Sequence, residues 1–202
     1  MRLGIFGGTF DPVHFGHLIL AEQCREQAKL DSVFFVPAAR PPHKLEDELT
    51  SFDKRVEMLT LAISGNPYFR IDESENTRSG PSYTVDTIKH FRTTYSDDEL
   101  FLLVGADSFV DLPSWYKPEE ILEMVEIVVA NRPGWEILSR DQIVSKLALS
   151  EDSRLRSRVI TMPDIHIASR DIRQRIAEGR TVRYIIPRAV EAYIEDKRLY
   201  RK

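Results

Sequence analysis

Residues 2 to 17 read RLGIFGGTFDPVHFGH, a short apolar run followed by a stretch rich in glycine and histidine. An apolar run of this length is typical of a buried strand, and the helical spacing that begins at Leu18 predicts a helix soon after it. The two histidines therefore lie where a first strand passes to a first helix. Ligands of open parallel sheets gather outside the carboxyl ends of the strands, so this junction is a candidate binding site.

The same alternation of strand and helix continues along the chain. Short apolar runs predict strands at residues 2–6, 33–37, 69–72, 100–105, 127–131 and 158–162. Helical spacing lies between them, at residues 18–30, 52–64, 83–95 and 118–124. Continuous apolar strands that alternate with helices predict an α/β fold, in which a parallel sheet is covered by helices on both faces.

The last third of the chain is predicted to be mainly helical. Helices are expected at residues 135–149, at 169–178 with Gly179 as its end, and from Pro187 onward. The proline-rich stretch 38–51 is the strongest candidate for a mobile loop. Because the sequence contains no repeat and no long linker, we expect a single domain over residues 1–202 with a helical C-terminal portion.

Composition narrows the classes of function. The chain has 202 residues and a formal net charge of -4, and general nucleic-acid binding is not expected because it needs a basic surface. No apolar run reaches the roughly 20 residues of a membrane span, and the N-terminus lacks the features of a signal peptide. A single cysteine excludes an internal disulfide. We expect a cytoplasmic protein without membrane contact, and homo-oligomerisation is left open.

The glycines and histidines of the opening stretch predict a phosphate site. Neither the dinucleotide fingerprint nor the P-loop pattern is present. Gly7 and Gly8 allow close approach of a ligand, and Gly16 lies at a helix entry, where backbone N–H groups favour an anion. His14 and His17 are three residues apart, share a helical face and can donate hydrogen bonds to phosphate. The alternatives are a metal pair, disfavoured by the single thiol, or two structural histidines.

Five segments, in order, resemble one enzyme family. HFGH at residues 14–17 matches the H-x-G-H signature of the nucleotidylyltransferase superfamily, and GGTFDPVHFGH at 7–17 is similar to bacterial nicotinate mononucleotide adenylyltransferases. The further matches are VPAARPPHK at 36–44, SYTVDTI at 82–88, LLVGADSFVDLPSWYKPEEIL at 102–122 and IASRDIRQRI at 167–176. The resemblance covers most of the chain and implies a Rossmann-like, doubly wound parallel sheet.

The resemblance implies transfer of the adenylyl group of ATP to nicotinate mononucleotide, with Mg²⁺ arriving on the ATP phosphates. It assigns catalysis to His14, His17 and Arg173. The implied ATP contacts are Gly7, Gly8, Thr9, Phe10, Gly16, Gly105, Asp107 and Ser169. Asp107 has three open roles: a ribose contact, a contact to hydrated Mg²⁺, or a helix N-cap. Ala168 and Arg170 replace the usual serine and threonine of the family, which leaves the role of Arg170 open.

The resemblance also implies a set of mononucleotide contacts: Lys44, Ser82, Tyr83, Thr84, Trp115, Tyr116 and Arg132. Thr84 is expected at the helix start that receives the pyridine carboxylate, whereas Ser82 has plain N-capping as its alternative. Trp115 is expected to stack on the pyridine ring, with a packing role as the alternative.

Three other functions remain alternatives. Two are adenylyltransferases of the same fold that act on nicotinamide mononucleotide or on phosphopantetheine, and the third is a nucleotide-sensing module without catalysis. Trp115 and residues 82–84 favour the pyridine carboxylate.

Overall fold

Six strands form one sheet in the computed structural model, which describes residues 1–42, 49–131, 141–142, 145 and 156–201. The strands are β1 (Arg2–Gly8), β2 (Ser32–Pro37), β3 (Phe69–Ile71), β4 (Glu99–Gly105), β5 (Glu126–Asn131) and β6 (Ser157–Thr161). Every pairing is parallel, and the order is β3-β2-β1-β4-β5-β6. This is the doubly wound order in which the strand sequence reverses beside β1, so the predicted α/β fold is confirmed.

Helices connect and cover the strands, and seven of them lie wholly within the described residues. They are α1 (Phe15–Gln27), α2 (Phe52–Ile63), α3 (Thr84–Thr94), α4 (Ala106–Val110), α5 (Pro118–Met124), α6 (Ser169–Ala177) and α7 (Arg188–Asp196), with two short 3-10 turns at Ser74–Thr77 and Leu112–Ser114. All the predicted helices that fall on described residues are present. The predicted helix at 135–149 lies almost entirely outside the described residues.

The core lies on both faces of the sheet because successive strand residues point to opposite sides. In β4, Phe101 and Leu103 join one buried cluster, whereas Leu102 and Val104 join the other. The first cluster is completed by α1, α2, α6 and α7, and the second by α3, α4 and α5. Both faces are therefore covered, as the continuous apolar strands predicted.

The two central strands separate at their carboxyl ends. β1 and β4 are paired only as far as Ile5 and Leu102. Beyond that point β1 stays paired with β2 up to Gly8, and β4 stays paired with β5 up to Gly105. The sheet therefore opens between β1 and β4, at the point where the strand order reverses.

Among the helices of the described residues, none combines the length and the apolar character that crossing a bilayer requires.

Candidate active site

A cavity of about 850 Å³ occupies the opening between β1 and β4. Its walls come from the end of β1 and the turn after it, the end of β4, the start of α3 and residues 114–119. The predicted site residues that line it are Gly7, Gly8, Thr9, Gly105, Ser82, Tyr83, Thr84, Trp115 and Tyr116. The cavity thus brings residues predicted for ATP together with residues predicted for the mononucleotide. Phe10, His14, Gly16, His17, Asp107, Ser169 and Arg173 are not part of its lining.

The absence of a side chain at the two glycines that end β1 has a different physical explanation in each case. A Cβ on Gly8 would lie 2.9 Å from the ring of Phe10, so packing excludes a side chain there. A Cβ on Gly7 would meet no atom within 4 Å, although the residue lines the cavity. The small size of Gly7 therefore leaves cavity space rather than serving the packing of the protein.

His14 and His17 cap the start of α1 reciprocally. The Nδ1 atom of His14 accepts the backbone N–H of His17 at 3.4 Å, and the Nδ1 atom of His17 accepts the backbone N–H of His14 at 3.3 Å. The two rings stack with their centroids 3.7 Å apart. Because each Nδ1 is an acceptor, each neutral ring carries its proton on Nε2 and presents an N–H donor there.

The neighbours of the histidine pair hold it in place. A Cβ on Gly16 would lie only 3.0 Å from Nδ1 of His14, so this glycine leaves room for the ring above it. On the other side, the ring of His17 packs edge-on against Phe10 with the centroids 5.0 Å apart. Phe10 is fully buried, so its side chain supports His17 from within the core.

The start of α6 is bound to the turn that follows β1. The Ser169 hydroxyl donates to the carbonyl of Pro12 at 2.9 Å, and Nη1 of Arg173 donates to the carbonyl of Asp11 at 2.8 Å. Ala168, not Ser169, occupies the N-cap position of α6, and the Ser169 hydroxyl is used in this tertiary contact. The positive end of the α6 dipole is thus held near the turn after β1.

Three further residues, none of them predicted from the sequence, fix the same turn; Arg55 and Asp11 are buried and Tyr200 is partly buried. Arg55 donates from Nη1 to the carbonyl of Thr9 and from Nε to the carbonyl of Thr50, both at 2.9 Å. The Asp11 carboxylate accepts the Thr50 N–H at 3.2 Å and the Tyr200 hydroxyl at 2.5 Å. Burial lowers the pKa of Arg55 and, together with the Asp11 charge, raises that of Tyr200. The turn is therefore held from α2, α6 and the C-terminal end of the chain.

The start of α3 differs from the expected capping. Tyr83 occupies the N-cap position, so N-capping by Ser82 is wrong. Ser82 instead exchanges two hydrogen bonds with the backbone of Arg40, at 2.9 Å through its hydroxyl and at 2.8 Å through its N–H. The rings of Tyr83 and Tyr116 lie 4.4 Å apart. Thr84 begins the helix, where backbone N–H groups have no intrahelical acceptor.

The first turn of α4, directly after β4, carries a carboxylate, that of Asp107. Gly105, not Asp107, is the N-cap of α4, so the N-cap role for Asp107 is wrong. The Asp107 side chain folds back over Gly105, where a Cβ would lie 2.5 Å from its Oδ1 atom. Trp115 lines the cavity and also packs against the second core cluster, so cavity and packing roles coexist.

Two of the predicted site residues, Lys44 and Arg132, lie outside the described residues. In the part of the chain that the structure describes, no group of three or more His, Cys, Asp or Glu side chains could hold a metal ion. A metal at this site would therefore take most of its ligands from elsewhere, and phosphate oxygens and water are the usual ones for Mg²⁺.

Comparison with known proteins identifies the family. The cytidylyltransferase-like family model matches residues 5–175. A probable nicotinate-nucleotide adenylyltransferase from Thermomicrobium roseum is 48% identical over 99% of this chain and 92% of its own length, and one from Thermus thermophilus is 43% identical over 100% of both chains. The solved structure of the Plasmodium falciparum nicotinic acid mononucleotide adenylyltransferase complexed with NaAD is 20% identical, covers 98% of this chain and 97% of its own, and has a TM-score of 0.79, which concerns the fold. The chain therefore belongs to the cytidylyltransferase-like family and, within it, to the nicotinate-nucleotide adenylyltransferases.

Proposed function

We propose that the protein transfers the adenylyl group of ATP to nicotinate mononucleotide, giving deamido-NAD and pyrophosphate. The observation that carries this proposal is the cavity between β1 and β4, since one space is bordered by the turn after β1 and by the aromatic residues Trp115 and Tyr116. The names of the relatives support the same reaction. We place the enzyme, as a single domain, in the cytoplasm, which supplies ATP.

The reaction needs positioning more than proton transfer. The 5′-phosphate of the mononucleotide attacks the α-phosphorus of ATP in line, and pyrophosphate leaves. The attacking phosphate oxygen is already ionised, so neither a general base nor a protein nucleophile is required. The protein accelerates such a reaction by aligning the two anions and by stabilising the charge that develops between them.

His14 and His17 are the proposed donors to the reacting phosphates. Their Nδ1 atoms accept backbone N–H groups at the start of α1, and these contacts fix the orientation of the two rings and of their Nε2–H groups. Preorganised donors of this kind lose little free energy to reorganisation when charge develops in the transition state. Gly16 contributes by its size, and the backbone of residues 7–10 provides the remaining ATP contacts.

Ser169 and Arg173 are the proposed contacts to the β- and γ-phosphates. One guanidinium nitrogen of Arg173 donates to Asp11, and a guanidinium has five N–H donors, so donors remain for phosphate oxygens. The start of α6 adds partial positive charge. Arg170, which is exposed at the same helix start, is a further candidate for the triphosphate.

Mg²⁺ is the proposed cofactor, delivered with ATP. The residues fit it, because Mg²⁺ is commonly held by one or two carboxylates together with substrate phosphates and water, and Asp107 offers a carboxylate at the end of β4. When bound, the ion neutralises charge on the phosphates. Gly105 contributes its backbone to the adenosine contact proposed at the same place.

The mononucleotide is proposed to bind at the far wall of the cavity. The start of α3 at Thr84 receives the pyridine carboxylate on backbone N–H groups, and Trp115 stacks on the ring. Tyr83, Tyr116 and Ser82 complete this wall. The remaining contacts that the family resemblance implies, Lys44 and Arg132, are proposed for the phosphate end and the ring pocket.

A pyrophosphate-release assay tests the proposal. With ATP and Mg²⁺, nicotinate mononucleotide is expected to give a kcat/KM at least about tenfold above that of nicotinamide mononucleotide, since only the acid offers an anion to the start of α3. Equal kcat/KM values for the two mononucleotides, or a higher value for phosphopantetheine, would show that nicotinate mononucleotide is not the preferred substrate. Binding of ATP without pyrophosphate from any of the three would favour a nucleotide-sensing module.

A further inference from the structure

A buried carboxylate on the cavity wall has no role in the reaction as proposed above. Glu75 lies in the 3-10 turn Ser74–Thr77, is only 7% exposed and lines the cavity. Glutamate is rarely buried to this extent unless it is paired. Its neighbours therefore show whether the protein itself supplies hydrogen-bond donors to both carboxylate oxygens.

The protein supplies a hydrogen-bond donor to one of the two carboxylate oxygens of Glu75. The Thr87 hydroxyl, on α3, donates to Oε1 of Glu75 at 2.6 Å. Nη2 of Arg78 donates to the same hydroxyl at 2.8 Å and lies 3.5 Å from Oε1. Glu75 and Thr87 line the cavity, whereas Arg78 does not.

The second oxygen is left without a partner. Oε2 of Glu75 is buried and, within the described part of the chain, has no hydrogen-bond partner. An unpaired buried carboxylate oxygen is unfavourable, and such atoms in native structures call for an explanation, such as a ligand. Since Glu75 borders the cavity, the ligand of that cavity is the natural partner.

The position of Glu75 indicates which part of the ligand it meets. Thr87 follows Thr84 by three residues on α3, so the two side chains share a helical face, and both line the cavity. Glu75 binds Thr87, and the aromatic rings of Trp115 and Tyr116 line the same space. Glu75 therefore borders the region proposed for the pyridine ring.

The ring of a pyridine mononucleotide carries a positive charge, because its nitrogen is bonded to the ribose. Its carboxylate substituent is negative. The start of α3 offers partial positive charge to the carboxylate, which leaves the ring charge to be matched by an anion. In a partly desolvated cavity such a match is worth more than in water.

We propose that the Glu75 carboxylate is the counter-charge of the pyridinium ring and determines specificity for a cationic ring. This inference depends on the proposed function. Glu75 acts by charge at the ring, whereas Thr87 and Arg78 hold the carboxylate in place.

Glu75→Gln tests the charge with little change of shape. Binding of nicotinate mononucleotide is measured by titration calorimetry without ATP, and KM is measured for both substrates. We expect Kd for the mononucleotide to rise about tenfold and KM for ATP to change less than about twofold. An unchanged Kd would overturn the inference, and so would tighter binding, because Glu75 would then oppose the substrate carboxylate.

A reduced substrate separates ring charge from other contacts. The dihydropyridine form of the mononucleotide keeps the carboxylate, ribose and phosphate but has an uncharged ring. The wild type and Glu75→Gln should bind this form with equal Kd. An equal loss of affinity for both forms would assign Oε2 to a ribose hydroxyl or another uncharged donor and would overturn the ring assignment.

Two control variants complete the test. Thr87→Val removes the hydrogen bond to Oε1 but keeps the charge of Glu75. A loss of affinity equal to that of Glu75→Gln would therefore show that the position of the turn, and not the Glu75 charge, determines binding. Glu73→Gln makes the same chemical change at an exposed residue outside the cavity lining and should change Kd less than about twofold, because water screens its charge. If the wild type itself releases no pyrophosphate, the proposed function fails; if only the Glu75→Gln effect is absent, this inference alone fails.

Discussion

At the scale of single residues, the histidine pair caps a helix and is proposed to bind phosphate as well, two tasks that usually fall to different side chains. A helix start is normally capped by Ser, Thr, Asp or Asn, with Glu or Gln three residues later. Here His14 and His17 make the same reciprocal contacts through Nδ1. An imidazole has a second nitrogen on the far side of the ring, so capping and phosphate binding become compatible in one side chain.

His17→Ala is expected to lower kcat for pyrophosphate release about 10²- to 10³-fold, as for the loss of one strong electrostatic donor. His14→Asn is expected to lower kcat as well while α1 remains intact, since the asparagine oxygen can replace Nδ1 as the cap but no group replaces the Nε2–H donor. Both variants are measured at saturating substrates, with circular dichroism to confirm folding.

His90→Ala is the matched control for this pair. His90 lies on the partly exposed side of α3, with Nε2 3.7 Å from the carboxylate of Asp72, and is not part of the cavity lining. Its replacement should leave kcat unchanged. A folded His17→Ala protein with wild-type kcat would contradict the role proposed for the histidines.

The residues that sequence reasoning located, and those that it missed, differ in the range of their interactions. HFGH could be predicted as the start of a helix because its two histidines interact within one turn. The capping role of Ser82 was wrong because its hydroxyl has a partner distant in the chain, Arg40, and the Ser169 hydroxyl likewise bonds to the distant Pro12. Local patterns do not contain such partners.

At the scale of elements, the strands were predictable because burial on both faces leaves a continuous apolar run. α4 was not, since five residues are too few to show helical periodicity. α2 did contain a signal that was not used. Arg55 shares the buried side of the helix with Met58 and Leu59, and a cation on an apolar face indicates a buried polar partner.

Arg55→Met is expected to destabilise the protein by about 2–4 kcal/mol. The variant removes the hydrogen bonds from Arg55 to the partly buried carbonyls of Thr9 and Thr50, and the Asp11 carboxylate loses a nearby cation. Urea unfolding followed by circular dichroism measures the change. KM for ATP should also rise, because the turn after β1 loses its attachment to α2.

Lys54→Met controls for the loss of a charge on the same helix. Lys54 is exposed, so the midpoint of urea unfolding should remain at the wild-type value. An Arg55→Met protein as stable as Lys54→Met would show that the turn after β1 is held without Arg55.

At the scale of the whole molecule, the C-terminal end of the chain reaches the first turn. Tyr200 and Asp11 are 189 residues apart in sequence, yet the hydroxyl and the carboxylate are hydrogen-bonded. α6 and α7 pack on the same face of the sheet as α1 and α2, which brings Tyr200 into contact with the turn after β1. No local pattern in the sequence predicts this contact, because it depends on the closure of the whole fold.

Tyr200→Phe is expected to lower the free energy of unfolding by about 1–2 kcal/mol at neutral pH, since the Asp11 carboxylate loses one hydrogen bond. The difference should depend on pH. The pKa of Tyr200 is raised in the folded protein by burial and by Asp11, whereas in the unfolded chain it is about 10. Above pH 10 the unfolded wild type therefore releases a proton that the folded form retains, so this contribution to stability decreases as pH rises. The phenylalanine variant has no such proton, and the gap between the two unfolding free energies should narrow between about pH 9 and 11.

Tyr184→Phe, at a phenol that is 86% exposed, should match the wild type throughout. A gap between wild type and Tyr200→Phe that stays constant across this range would mean that Tyr200 titrates alike in both states, and the buried bond to Asp11 would have to be abandoned.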